Sequence, residues 1–131
     1  MGVADLNGDG MDDIVRLQQG SSPEFLLQQM DGTFTPAVID EDISTNYWGL
    51  CIGDADQDGT LDVVLGGLGT DLLNGYFTND TLHYSVEFMP PTNFQQGANF
   101  VDIDNDGALD HFACDDVALS LPSRNDGAGN F

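Results

Sequence analysis

Apolar residues recur along this chain in short alternating runs, separated by clusters of Asp, Asn and Gly. No segment sustains the 3.6-residue apolar period of a helix. Runs rich in β-branched and aromatic side chains, bounded by turn residues, predict strands. In the first third these are 3–4, 14–17, 25–29 and 34–39, with Met30-Asp31-Gly32-Thr33 turning between the last two. In the middle they are 50–52, 63–65, 72–78 and 82–88, with Asn79-Asp80 as the turn of the last pair. The final third offers 100–101, 112–114 and 118–121, then a turn at Asn125-Asp126-Gly127. The pattern predicts an all-β chain.

A nine-residue motif punctuates these strands three times. It runs from Asp5 to Asp13, from Asp54 to Asp62 and from Asp102 to Asp110, in the form Asp-x-Asp/Asn-x-Asp-Gly-x-x-Asp. The copies begin 49 and 48 residues apart. A fixed period of this size with β character indicates a solenoid or a propeller. Four strands per period make the blade of a β-propeller. The expectation is therefore one propeller segment over 1–131, with repeats 2–48, 49–97 and 98–131. It would hold about two and three-quarter blades of four antiparallel strands, an incomplete ring, since closed rings use about four to eight.

The motif also carries chemistry. Alternate side chains can point oxygens inward while the residues between them point out, and glycine permits the positive-φ bend that follows. Such a loop suits a hard cation taking roughly six to eight oxygens, namely Ca²⁺, at three sites. The first site would use Asp5, Asn7, Asp9, the carbonyl of Met11, and Asp13. The second would use Asp54, Asp56, Asp58, the carbonyl of Thr60, and Asp62. The third would use Asp102, Asp104, Asp106, the carbonyl of Ala108, and Asp110. An EF-hand would need a glutamate at its twelfth position. Arg16, Leu65 and Ala113 stand there, and strand-forming residues flank each loop, so each loop is the tip of a hairpin.

Charge changes the picture of partners. Twenty-three acids face two basic residues, Arg16 and Arg124, for a formal charge of −21. Eleven of those acids stand at ligand positions, where unscreened carboxylates would repel one another. The remainder still makes an acidic surface, which argues against nucleic acid and anionic membranes as partners. No apolar run reaches the length of a membrane span, so no membrane insertion is expected. Loops of this kind load in millimolar extracellular calcium, which points to a secreted or cell-surface location. Cys51 and Cys114 sit on predicted strands of different repeats and read as two buried thiols, with a disulfide as the alternative.

The chain resembles the FG-GAP or VCBS repeats, the calcium-loop blades of integrin α-subunit propellers and of many secreted bacterial proteins. Three elements carry the resemblance: the loop and strand from Asp54 to Leu65, the blade-end turns at 30–37 and 124–131, and the stretch from Gly97 to Asp104. The resemblance implies calcium ligands at the loop positions named above. It also implies a non-catalytic, calcium-stabilised module for adhesion, ligand binding or assembly. Two alternatives stand beside it: a carbohydrate-binding part of a secreted carbohydrate-active protein, and a structural subunit of an extracellular filament. An unclosed ring has open strand edges, so other copies of the chain or the remainder of a longer one are expected partners. A glycan or protein ligand would meet the blade loops, with Tyr47, Trp48, Tyr76 and Tyr84 as candidate contacts or as packing residues. No nucleophile elbow, zinc-protease motif or phosphate loop is present, and His83 and His111 are the only histidines. Asn79-Asp80-Thr81 forms a glycosylation sequon.

Overall fold

The computed structural model describes residues 1–39, 46–67, 71–78, 80–88, 94–117, 119–120, 122–129 and 131. Asn79 of the sequon lies outside them. Twelve strands make three sheets, and no helix occurs among the described residues. The first sheet is a meander of β1 (Gly2–Ala4), β2 (Asp13–Arg16), β3 (Glu24–Gln28) and β4 (Phe34–Pro36), every neighbour antiparallel. The second runs β5-β9-β8-β7-β6, from β5 (Val38–Ile39), β6 (Tyr47–Gly53), β7 (Asp62–Gly67), β8 (Asp71–Thr78) and β9 (Thr81–Phe88). The third holds β10 (Gln95–Val101), β11 (Asp110–Asp115) and β12 (Pro122–Ser123), again antiparallel. Among the described residues the sheets do not close into a ring.

Every motif loop joins an edge strand of its sheet to the neighbouring strand, β1 to β2, β6 to β7 and β10 to β11. Alternation along the strands explains how the sheets stack. Leu6 from the first loop and Val15, Phe25 and Leu27 from the first sheet meet Tyr47, Val63, Leu65, Phe77 and Leu82 from the second in one buried cluster. Phe25 and Phe77 meet edge-on across it, centroids 5.6 Å apart. Burying a side chain of this size contributes about 1.5–3 kcal/mol. Between the second and third sheets the contact is closer. A Cβ at Gly49 would stand 3.0 Å from the Ala98 backbone nitrogen, a tight contact that glycine avoids where β6 approaches β10.

Three expectations need correction. The strand expected over 34–39 is two strands. Phe34–Pro36 completes the first sheet, whereas Val38–Ile39 crosses to pair in parallel with β9 of the second. The break falls where the Ala37 N–H turns back to the Phe25 carbonyl and the Val38 N–H reaches the Asp80 carbonyl. In the last third, Leu119 and Ser120 are irregular and the strand is Pro122–Ser123; Ala118 and Leu121 lie outside the described residues. Among the four aromatics, the packing alternative holds for Tyr47, buried in the core cluster, and Tyr84 packs partly buried against it, while Trp48 and Tyr76 stay exposed at 39% and 50%. The two thiols are free, Cys51 half-buried and Cys114 exposed rather than buried.

Candidate metal centres

Each loop builds its own shape from Asp and Gly. The sixth-position glycines take left-handed backbone: Gly10 at φ +88°, Gly59 at +90° and Gly107 at +96°. The fourth position is left-handed too, at Gly8, Gln57 and Asn105, which the residue pattern did not reveal because glutamine carries no such preference. Fifth-position acids clamp the bend. Asp9, Asp58 and Asp106 accept the N–H of Met11, Thr60 and Ala108 at 2.9, 2.7 and 2.9 Å.

The first-position acids gather the rest. Asp5 accepts from Asp9 and Gly10 at 3.0 and 2.8 Å, and Asp102 from Asp106 and Gly107, both at 3.1 Å. Asp54 accepts from Gly59 at 3.1 Å through one oxygen. Its other oxygen, Oδ1, is buried with no hydrogen-bond partner. A buried carboxylate oxygen in that condition costs free energy that a cation would recover. The result is two carboxylate clusters, Asp54 with Asp56 and Asp58, and Asp102 with Asp104 and Asp106. Within each, one oxygen per residue lies within 4.8 Å of the others, and each cluster could hold a metal ion. The donors are all hard oxygens, the chemistry calcium takes. In the first loop Asn7 replaces one acid, and its amide reaches out to Asp80 Oδ1 at 2.7 Å on the turn between β8 and β9.

The ninth-position aspartates also accept backbone bonds. Asp13 is fully buried, and its two oxygens accept the N–H of Leu6 at 2.9 Å and of Gln28 at 2.8 Å. Asp110 does the same with Ile103 and Asn125, at 2.8 and 2.9 Å. Asp62 accepts from Ala55 at 2.7 Å. Each carboxylate thus ties the start of its loop to the following strand, and Asp13 and Asp110 tie it to Gln28 and Asn125 as well. Burial pushes Asp13 upward against the two N–H groups that hold it down. Asp62 is pushed up to about 6, chiefly by burial and then by Asp56, Asp58 and Asp54. A cation among those three acids would reverse their part of the shift.

Loops also touch across sheets. Gln57 donates to the Gly107 carbonyl, linking the second loop to the third. Asn125 is fully buried and serves both. Its Nδ2 donates to the carbonyls of Ala55 at 2.8 Å and Leu109 at 2.9 Å, and its Oδ1 accepts from Gly127 and Gly129 at 3.0 and 3.1 Å. The sequence shows Asn125 only as a turn residue, a role its composition already explains.

His111 is buried against Phe131, with neither ring nitrogen hydrogen-bonded. Burial lowers its pKa to about 4, so it is a neutral packing group at physiological pH.

Residues 5–65, just under half of the chain, match the family model of the FG-GAP-like repeat. No curated protein and no solved structure matches the chain.

Proposed function

We propose, from the premise that residues 5–65 are an FG-GAP-like repeat, that this chain is a calcium-stabilised segment of a β-propeller. Its role would be adhesion, ligand binding or assembly outside the cell, without catalysis. The observation that carries this reading is the recurrence of one loop at one place in three sheets, two of the three with clustered carboxylates. Each sheet is then a blade, with β1, β6 and β10 as equivalent strands.

Calcium would be held by Asp54, Asp56, Asp58 and the Thr60 carbonyl, by Asp102, Asp104, Asp106 and the Ala108 carbonyl, and at the first loop by Asp5, Asn7, Asp9 and the Met11 carbonyl. Bound there, it supplies positive charge and coordination that offset repulsion among the acids. Asp13, Asp62 and Asp110 position the loops through backbone bonds and also face them as anions. The protein's own residues do the rest: they fix the loop shape, and they keep a rigid sheet under the exposed surface where a partner docks.

The test is the melting temperature with and without calcium. A site loaded a hundredfold above its Kd adds about 2.7 kcal/mol. Two or three such sites raise the Tm of a domain this size by at least about 10 °C. A Tm that moves by less than about 2 °C between chelator and millimolar calcium removes the reading. A carbohydrate-binding role is the second reading. The exposed Trp48 and Tyr76 favour it, since exposed aromatic faces suit stacking on sugars.

A further inference from the structure

The chain has only two basic side chains, and they are placed unequally. Arg16 lies on the first sheet and is held by Glu24 at 2.6 Å. Arg124 sits on the third loop. Its Nη2 lies 2.6 Å from Asp104 Oδ2 and 3.3 Å from Asp106 Oδ2. Those are two of the three carboxylates in the third cluster. Their other oxygens already accept N–H groups, from Asp106 at 3.3 Å and Ala108 at 2.9 Å. Both oxygens of both acids are therefore engaged. Among the described residues no basic side chain reaches the second loop, whose Asp54 keeps one buried oxygen unpartnered. Arg124 also borders an open hollow with Asp106, Asn125 and Asp126, so the guanidinium has room to swing off the loop.

We propose that Arg124 is a built-in competitor for the third loop, setting its calcium affinity below that of the second, so that the two load at different calcium concentrations. The inference rests on the calcium reading above. A divalent ion entering the third loop must displace the guanidinium from two oxygens or accept a like charge beside it. Arginine cannot escape by deprotonating, so the competition is independent of pH over the physiological range. It weakens with added salt, because the pairs are exposed. Exposed ion pairs are weak, so these two together lower the affinity only roughly three- to tenfold.

The experiment is a Ca²⁺ titration of the ¹⁵N-labelled chain by NMR. The amides of Gly59 and Gly107 report the second and third loops separately. In the wild type Gly107 reaches its midpoint at higher calcium than Gly59. Arg124→Gln lowers the Gly107 midpoint roughly three- to tenfold and leaves Gly59 within about twofold. Arg124→Lys keeps the charge and stays near the wild-type midpoint. Arg124 is exposed, so neither variant threatens the core. If both glycines titrate but Arg124→Gln leaves the Gly107 midpoint unchanged, the competitor is refuted while the calcium reading stands. The competitor is equally refuted if Arg124→Lys tightens the loop as much as the glutamine does. If neither glycine responds up to millimolar calcium, the calcium reading itself falls, and this inference with it.

Discussion

Replacing Asn125 by alanine removes a buried side chain that binds two loops at once. Its Nδ2 satisfies the carbonyl of Ala55, a fully buried residue, and that of Leu109. Its Oδ1 holds the N–H groups of Gly127 and Gly129 in the turn that follows it. Water can replace the amide at the two glycines but has no path to Ala55. Leaving one buried acceptor unpaired costs about 1–3 kcal/mol, and each of the other bonds about 0.5–1. Neighbouring bonds do not add fully, so the expected loss is about 3 kcal/mol. With a urea m-value of about 1.5 kcal/mol per M, the midpoint falls by about 2 M. The assay is urea unfolding followed by the fluorescence of Trp48, the only tryptophan, with calcium held in constant excess. Asn125→Asp is the sharper variant. It keeps the size and the Oδ1 acceptor but turns an anion toward two carbonyls, so it should lose at least as much as alanine. A loss below about 1 kcal/mol for both variants would refute the argument that this amide fastens the second loop to the third.

Two further measurements separate roles that the motif merges. Asp13→Asn turns an amide N–H₂ toward a backbone N–H, so it should destabilise the protein by about 1–3 kcal/mol with or without chelator. Asp56→Asn should lower stability only when calcium is present, and equal chelator dependence of the two would refute the division. Cys51 is pushed up to about 12 by burial, whereas Cys114 is exposed. Iodoacetamide at pH 8 should therefore modify only Cys114 in the folded protein and both thiols in urea, as mass spectrometry reads directly. Because the folded Cys51 holds its proton where the unfolded thiol ionises near 9, its contribution is intact below that pH. It declines as the pH rises from 9 toward 12, at about 1.4 kcal/mol per unit.

The strands and loops were legible because their causes are local. Val63, Val64 and Leu65 declare a buried strand by their own shape, and Asp54 to Gly59 declare a turn around oxygens. What escaped depends on distant partners. Asn125 finds Ala55 seventy residues away, a pairing no turn propensity encodes. The ninth aspartates read as closing ligands, and a carboxylate in a loop looks the same whether or not it also accepts backbone bonds. Only the register that puts Gln28 beside Asp13 shows the backbone bond. Val38–Ile39 reads as continuous with Phe34 because both stretches favour extended backbone. Which sheet receives them is decided by the approach of β9.

That crossing strand puts the sequence period and the folded layers out of phase. The outer rim of the second sheet is occupied by chain from the preceding repeat. Trimming the protein to 49–97 would uncover the rim of β9 and leave its N–H and C=O groups seeking another molecule. The natural cut lies upstream of Val38, so the second layer is finished by its predecessor, as shingles overlap on a roof.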